Sequence, residues 1–157
     1  MNAFFASVEQ LDFPGLRARP VAVTNGLKGT CIITSSYEAR QFGVKTGMHL
    51  KEGRRLCPEL IQRPARPTRY AALSAAIMAA LEAVTPDIEV FSVDEAFLDV
   101  TDCQALGTPV ALAAKARRIV FETSGLLCSL GVSGDKTTAK YAAKLVKPNG
   151  FTVIPPW

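Results

Sequence analysis

Hydrophobic residues recur at two different spacings along the chain, and each spacing predicts a different kind of element. Between residues 70 and 84 they recur every three or four positions, which is the period of a helix with one buried face. Thr68 precedes that helix as its predicted N-terminal cap. A second helix is predicted to begin at Thr108-Pro109. The face of this second helix that we predict to be buried carries Leu112, Ala116, Ile119 and Thr123.

Short runs of apolar and β-branched residues predict strands, and the Gly, Pro and Asn residues between them predict turns. Asn25-Gly26 separates two such runs and predicts the turn of a hairpin. Ser35-Ser36 is the predicted cap of a short helix at residues 37–40, which ends at Gly43. Strands are predicted at residues 1–5, 21–24, 30–34, 60–62, 126–132 and 151–154, and further helices at residues 6–10, 50–56 and 136–146.

The clearest boundary signal in the chain is Arg63-Pro64-Ala65-Arg66-Pro67, which has two prolines, two arginines and no apolar period. When residues 6–66 are set aside, the remaining order is strand, helix, strand, strand, helix, strand. This order is the split β-α-β pattern of ferredoxin-like folds. We therefore predict an α+β fold, in which a ferredoxin-like domain with an extra helix and strand carries a small α/β insertion.

Asp94 and Glu95 interrupt the apolar run from Ile88 to Val100, which predicts two short strands joined near the two acids. Burying an unpaired carboxylate is costly, and no Lys or Arg lies within the run to neutralise the pair. At a tight turn both carboxylates can converge on one side, where a divalent metal ion would neutralise them. The alternative is a hairpin turn whose acids face water.

Three other groups of residues are candidates for chemistry. Thr34–Arg40 places a hydroxyl, a phenol and a guanidinium at a helix start, which suits an oxyanion or phosphate, although a plain helix cap with a surface arginine has the same pattern. Phe4-Phe5 is by default a pair of core residues. The last group shares one helical face, a pattern that usually marks a solvated surface: Lys136, Lys140, Lys144 and Lys147.

Lys136 begins a helix beside Ser133-Gly134, where backbone N–H groups favour the binding of phosphate. Two further features are not treated as candidate sites. Gly131–Thr137 is not a P-loop, because that motif has four residues between its glycines and a Lys directly after the second. His49 is the single histidine, and we predict that it is structural or exposed.

Composition narrows the class of protein. The chain has 157 residues, of which 48% are hydrophobic, enough for one domain or a domain with a smaller insertion. No apolar run has the length of a membrane span and no signal-type segment opens the chain, so we expect a cytoplasmic protein. Its four scattered cysteines predict free thiols, and its net charge of +4 is compatible with a polyanionic partner.

Four blocks of the sequence, taken together, resemble the Y-family (translesion) DNA polymerases, specifically the bacterial DNA polymerase IV type. They occur in the order of that family and extend over nearly the whole chain. The blocks are Asn2–Glu9, Ser36–Arg40 with Gly43–Met48, Ser92–Asp99, and the glycine- and lysine-containing segment 131–150.

The resemblance implies a palm domain at residues 1–10 and 67–157 and a fingers domain at residues 11–66. It also implies two catalytic Mg²⁺ ions. Asp94 corresponds to a ligand of both ions, and Glu95 to a ligand of the ion that activates the primer 3′-hydroxyl. The backbone carbonyl of Met1 corresponds to a further ligand.

The resemblance also implies how the incoming nucleotide is held. Phe5 matches the steric gate that excludes a ribose 2′-hydroxyl, and Phe4 lies beside it under the sugar. The residues that match those holding the triphosphate are Thr34, Tyr37, Arg40 and Lys136. The implied activity is template-directed, error-prone DNA synthesis across lesions in DNA repair. Its partners are primer–template DNA, deoxynucleoside triphosphates and, through a C-terminal region, the sliding clamp.

Two departures from the family set a further expectation. The first metal-binding aspartate of the family directly precedes the residue that matches Met1, and the thumb and the C-terminal DNA-binding domain follow the palm. We therefore expect these 157 residues alone to be an inactive fragment. One alternative is a catalytically inactive, polymerase-like accessory protein that binds DNA. A nucleotide cyclase on a related palm is disfavoured by the fingers insertion.

Overall fold

The computed structural model describes residues 1–155 and divides into two units. The N-terminal unit is Ala3–Tyr70, and the C-terminal unit is Met1–Asn2 together with the chain from Ala71 onward. Residues 156 and 157, which belong to the second segment of the predicted palm, lie outside the described residues. Both units mix helices with strands, which confirms the predicted α+β class.

The N-terminal unit is built around a three-stranded sheet with β1 in the centre, in the order β2-β1-β3. Its elements are α1 (Phe4–Asp12), β1 (Val21–Thr24), β2 (Ile32–Ser35), α2 (Tyr37–Arg40), α3 (Leu50–Leu56) and β3 (Ile61–Pro64). β1 pairs antiparallel with β2 and parallel with β3. Residues from β1, β2, α2 and α3 meet in one buried core: Ala22, Ile32, Ala39, Val44, Leu50, Cys57 and Leu60.

Most local predictions for this unit are confirmed. The two strands on either side of Asn25-Gly26 form the expected antiparallel pair. The hydroxyl of Ser36 caps α2 by accepting a hydrogen bond from the Ala39 N–H at 3.3 Å. His49 is exposed and caps α3, because its Nδ1 atom accepts from the Lys51 N–H at 3.1 Å.

The strand predicted at Met1–Phe5 is wrong. Ala3 has the left-handed backbone conformation (φ 43°, ψ 53°), and α1 begins directly after it at Phe4. Phe4 and Val8 are buried on one face of that helix. A short apolar run fits the start of a helix as well as the end of a strand, so hydrophobic pattern alone did not separate the two.

Asp12, the last residue of α1, binds two arginines of the same unit. Its Oδ2 atom lies 2.9 Å from Nη2 of Arg66 and 2.9 Å from Nε of Arg69. The hydrogen bond from Arg69 is the main cause that holds the pKa of the Asp12 carboxyl below its ordinary value of 3.8. Because folding lowers this pKa, the stability that Asp12 contributes is present above its unfolded pKa and is lost as the pH falls through the folded one.

Replacing Asp12 by Asn should therefore lower the free energy of unfolding by about 1 kcal/mol at neutral pH, the usual scale for a partly exposed ion pair. The difference between the wild type and Asp12→Asn should shrink as the pH falls through the lowered pKa of Asp12. Urea unfolding at neutral pH and at about pH 2 measures both values. An equal difference at the two pH values would contradict this assignment.

The C-terminal unit holds the remaining elements, and α4 enters it from the N-terminal unit. They are α4 (Pro67–Leu81), β4 (Ile88–Ser92), β5 (Glu95–Leu98), α5 (Pro109–Ser124), β6 (Leu130–Val132), α6 (Lys136–Leu145) and β7 (Phe151–Val153). β4 and β5 form the predicted antiparallel hairpin, whereas β6 and β7 are parallel. In residues 1–155 the strands of this unit therefore make two two-stranded sheets.

The helical period between residues 70 and 84 correctly predicted the buried positions, but the helix start was wrong. α4 begins at Pro67 rather than after Thr68, because proline suits the first helical position, where no N–H is needed. The confirmed buried residues are Tyr70, Leu73, Ile77, Leu81 and Val84. None of the helices within residues 1–155 is both long enough and apolar enough to cross a membrane.

Two predictions further along the chain need correction. The buried positions of α5 advance by four residues, through Val120 and Ser124, so Thr123 is exposed and Ile119 only half-buried. Whether a stripe steps by three or four depends on the angle at which neighbours pack, which a single helix does not encode. The strand predicted at 126–132 covers only Leu130–Val132, and the Leu126 N–H binds the Ser124 hydroxyl at 3.1 Å instead of a strand.

Candidate functional site

Asp94 lies in the turn of the β4–β5 hairpin, and Glu95 is the first residue of β5. The hydroxyl of Ser92 donates a hydrogen bond to Oδ1 of Asp94 at 2.8 Å. The α-ammonium of Met1 donates to the backbone carbonyl of Asp94 at 2.6 Å, and burial lowers the pKa of this amine. Both carboxyl-bearing residues are half-buried. The turn thus holds two adjacent acids that a ligand from solvent can reach.

Helix α6 supplies positive charge to this hairpin. Nζ of Lys140 lies 3.4 Å from Oε2 of Glu95 and 4.0 Å from the centre of the Phe91 ring. One turn earlier, Lys136 forms an ion pair with Glu89. Sequence analysis missed both pairs, because the lysines and their partners are more than 40 positions apart. The four-residue spacing of the two lysines was the only available signal.

The contact between Lys140 and Glu95 places an internal cation next to one of the two candidate metal ligands. Replacing Lys140 by Met should therefore tighten the binding of Mn²⁺ to the nucleotide-free protein. We expect a gain of up to about fivefold, since a partly exposed ion pair contributes at most about 1 kcal/mol. Electron paramagnetic resonance of free Mn²⁺ measures the dissociation constant.

Lys144→Met is the matched control, because it removes the same charge one turn further along α6. Its effect on Mn²⁺ binding should be clearly smaller than that of Lys140→Met. Equal effects from both substitutions would mean that only net charge matters.

The acids of the hairpin suit a hard divalent cation. Carboxylate oxygens are preferred ligands of such ions, and Mg²⁺ commonly uses one or two carboxylates together with water and substrate phosphates. No cluster of three or more histidine, cysteine, aspartate or glutamate side chains occurs in the part of the chain that the structure describes. Asp94 and Glu95 supply two adjacent carboxylates, a number within the range that Mg²⁺ commonly takes from a protein.

A second group of candidate residues comes together in the N-terminal unit, at the end of β2 and along α2. The Arg40 guanidinium lies 4.8 Å from the centre of the Tyr37 ring. Its Nε atom donates to the Ser35 carbonyl at 3.0 Å, and Nη2 lies 3.5 Å from the Thr34 hydroxyl. Arg40 is exposed, and it lines an open groove of about 320 Å³ together with Val44, Lys45 and Thr46.

The hydroxyl of Tyr37 has an unusual position. It is buried and has no hydrogen-bond partner among residues 1–155. Buried polar groups in proteins are normally hydrogen-bonded, and an orphaned one calls for a specific reason. A phenol, a hydroxyl and an exposed guanidinium so close together form a cluster of donors for an anion.

Phe4 and Phe5 open α1, and they differ in burial. Phe4 is 3% exposed, whereas Phe5 is half-buried. The Phe5 ring stacks on Tyr70 with 4.4 Å between ring centres and an interplanar angle of 13°. Phe4 therefore has the environment of a core residue, and Phe5 keeps part of its ring accessible.

The residues singled out by sequence analysis fall into two groups. Phe4, Phe5, Thr34, Tyr37 and Arg40 lie in the N-terminal unit, where Arg40 contacts both Thr34 and Tyr37. The other group, in the C-terminal unit, comprises Met1, Asp94, Glu95 and Lys136.

Comparison with known proteins points to one family. Residues 1–144 match the impB/mucB/samB family. The chain is 44% identical over 158 residues to DNA polymerase IV of Alkalilimnicola ehrlichii, and 44% identical over 162 residues to DNA polymerase IV of Shewanella loihica. Each alignment covers 99% of this chain but 44% of the relative.

Solved structures agree with the sequence comparison. DinB from Sulfolobus solfataricus matches with a TM-score of 0.91 and 37% identity, over 99% of this chain and 46% of the other. An insertion ternary complex of Dbh DNA polymerase matches with a TM-score of 0.90 and 36% identity, over 99% of this chain and 47% of the other. The chain thus spans a little less than half the length of the relatives that it matches.

Proposed function

We propose, because the chain belongs to the impB/mucB/samB family of Y-family DNA polymerases, that the protein carrying it performs template-directed DNA synthesis. The reaction is nucleotidyl transfer from a deoxynucleoside triphosphate to the 3′-hydroxyl of a primer. Its biological role is error-prone synthesis across damaged template in DNA repair. The observation that carries this proposal is the adjacent pair Asp94 and Glu95 at the turn of the β4–β5 hairpin.

Asp94 and Glu95 would hold two Mg²⁺ ions, with the backbone carbonyl of Met1 as a further ligand. When bound, such ions lower the pKa of the attacking hydroxyl and neutralise charge on the phosphates. The contribution of the chain is to keep the two carboxylates in place. The hydroxyl of Ser92 would orient Asp94 through its hydrogen bond. The ammonium group of Lys140 would neutralise the charge of Glu95 until a metal ion takes the place of that ammonium group.

Thr34, Tyr37, Arg40 and Lys136 would bind the triphosphate. The buried Tyr37 hydroxyl, unpartnered in residues 1–155, would gain an acceptor from a phosphate oxygen. The exposed Arg40 guanidinium has the planar geometry that suits phosphate. Lys136 is exposed and forms an ion pair with Glu89. Because an exposed ion pair contributes little free energy, a triphosphate would displace Glu89 from Lys136 at small cost.

Phe5 would exclude a 2′-hydroxyl from the sugar position, with Phe4 beneath it. Its half-buried ring at the start of α1 supports this role, because a fully buried ring has no accessible face for a sugar. We also propose that residues 11–66 are the fingers and that residues 1–10 and 67–157 are the palm.

The partners that follow are primer–template DNA and deoxynucleoside triphosphates, with the sliding clamp as a further one. The solved relatives include a ternary complex of a DNA polymerase, which supports this choice. Bacterial DNA and its nucleotide precursors occupy the cytoplasm, and we place the protein there. The activity is proposed for the whole protein. This chain spans less than half the length of the relatives that it matches.

Primer extension by the protein that carries this chain tests the proposal. Arg40→Met should raise the KM for the deoxynucleotide at least about tenfold, since a hydrogen bond to a charged group contributes roughly 1.5–3 kcal/mol. Arg54→Met removes the same charge from an exposed position of α3 and should leave the KM unchanged. Equal effects of the two substitutions, or the absence of templated extension, would contradict it.

A further inference from the structure

Phe5 lies next to two other aromatic rings, that of the buried Phe4 at 5.8 Å between ring centres and that of Tyr70. Tyr70, in the first turn of α4, stacks on Phe5 with the ring centres 4.4 Å apart and the planes nearly parallel. Tyr70 is itself 2% exposed, and its hydroxyl donates a hydrogen bond to Oε2 of Glu9 at 3.1 Å. The half-buried ring of Phe5 is therefore stacked on the ring of Tyr70, whose hydroxyl is hydrogen-bonded to the carboxylate of Glu9.

Glu9 is fixed by two further groups. Its side chain is 0% exposed, with Oε1 at 3.3 Å from Nε of Arg63 and Oε2 at 2.6 Å from Nη2 of Arg66. Both guanidinium groups also lie over the Phe13 ring, at 4.4 and 5.0 Å from its centre. A buried carboxylate that accepts hydrogen bonds from three residues has little freedom to move, because loss of any of them leaves its charge poorly compensated.

Burial raises the pKa of Tyr70 to about 12. At neutral pH its hydroxyl therefore keeps its proton and acts as a donor to Glu9. Three contacts thus follow one another from the arginines to Phe5. Arg63 and Arg66 bind Glu9, Glu9 accepts the hydrogen bond that restrains the Tyr70 ring, and that ring stacks on Phe5. All of these residues belong to the N-terminal unit.

An apolar residue at position 9 would fill this space without the cost of burying a charge. The ion network is thus poorly explained by stability alone. What it adds is orientation, because a hydrogen bond to a fixed carboxylate limits the rotation of a phenol ring that apolar packing would leave freer.

We propose that Glu9 and Tyr70 are positioning residues for Phe5, and that they set how strongly the enzyme discriminates against ribonucleotides. This inference rests on the proposed function and extends it to two residues that act through Phe5. When the link between Tyr70 and Glu9 is broken, the Tyr70 ring can tilt. Phe5 can then move away from the sugar, and a 2′-hydroxyl finds room.

The test is Tyr70→Phe in the protein that carries this chain, because it deletes only the hydroxyl and keeps the stacked ring. The measured quantity is kcat/KM for a ribonucleotide divided by kcat/KM for its deoxy counterpart. We expect this ratio to rise roughly fivefold, on the scale of one lost hydrogen bond. The kcat/KM for the deoxynucleotide should fall by less than roughly fivefold.

Asp12→Asn is the matched control. It weakens the same network at Arg66 and Arg69, but it leaves both partners of the hydrogen bond between Tyr70 and Glu9 in place. It should lower the melting temperature and leave the ratio unchanged. A purely structural network predicts the opposite: both substitutions lower the melting temperature and neither changes the ratio, a result that overturns the inference.

The double variant Phe5→Ala/Tyr70→Phe separates a positioning role from a direct one. If Tyr70 acts through Phe5, the double variant has the same ratio as Phe5→Ala alone. If the two effects multiply instead, Tyr70 acts on the sugar by another route and the inference is wrong. A change in Phe5→Ala without one in Tyr70→Phe overturns the inference only, whereas failure of the wild type to extend a primer overturns the proposed function as well.

Discussion

Replacing Asp94 by Asn should reduce nucleotidyl transfer by at least about 1000-fold in the protein that carries this chain. Catalysis of this kind draws several kcal/mol from the bound cations, and each 1.4 kcal/mol is about tenfold in rate. The amide keeps the size of the side chain and an oxygen for the Ser92 hydroxyl. It lacks the negative charge that a divalent cation requires, so the loss should appear in kcat and not in folding.

Single-turnover primer extension measures this loss, and a melting curve shows whether the variant is folded. Asp102→Asn is the matched control, because Asp102 is an exposed acid in the short 3₁₀ helix Thr101–Leu106 of the same unit. Its activity should equal that of the wild type. An Asp94→Asn variant that retains more than about a tenth of the wild-type rate would rule out Asp94 as a metal ligand in the reaction.

The second large effect should come from Phe5→Ala. Removal of the ring opens the space next to the sugar, and the ratio of ribonucleotide to deoxynucleotide kcat/KM should rise on the order of 100-fold, the scale on which an enzyme pocket distinguishes one hydroxyl. The kcat/KM for the deoxynucleotide should fall less, because Tyr37 and Arg40, the proposed ligands of the triphosphate, remain in place. A core phenylalanine would behave differently, since its truncation costs about 3–5 kcal/mol of stability and would lower all activity together.

Val8→Ala provides the control for stability. Val8 is fully buried on the same helix, so its truncation should lower the melting temperature without changing the sugar ratio. If Phe5→Ala likewise lowers the melting temperature and leaves the ratio unchanged, Phe5 is a packing residue and leaves the proposed site.

Local patterns predicted much of this fold. The β4–β5 hairpin, the pair β1 and β2 and the cap of α2 each depend on residues close together in sequence, so their signals are complete within a short segment. For the same reason the sequence could indicate that Thr34, Tyr37 and Arg40 lie close together, since they fall within seven positions of one another at the end of a strand and the start of a helix.

Interactions between distant segments escaped prediction. Lys140 and Glu95 are 45 positions apart, and Glu9 and Tyr70 are 61 apart. No periodicity within one element indicates which face of another element it meets. The strand predicted at Met1–Phe5 failed for a different reason, because a short apolar run fits the start of a helix as well as the end of a strand.

Asp94 and Glu95 are proposed to hold catalytic cations while the protein binds a nucleotide. Anomalous diffraction from crystals of the protein that carries this chain, grown with a deoxynucleoside triphosphate and Mn²⁺, tests this claim most directly. We expect an anomalous peak about 2.0–2.3 Å from carboxylate oxygens of Asp94 and Glu95, the range for oxygen ligands of such cations, and its loss in Asp94→Asn. An ordered triphosphate with no anomalous peak at these two carboxylates would contradict the claim.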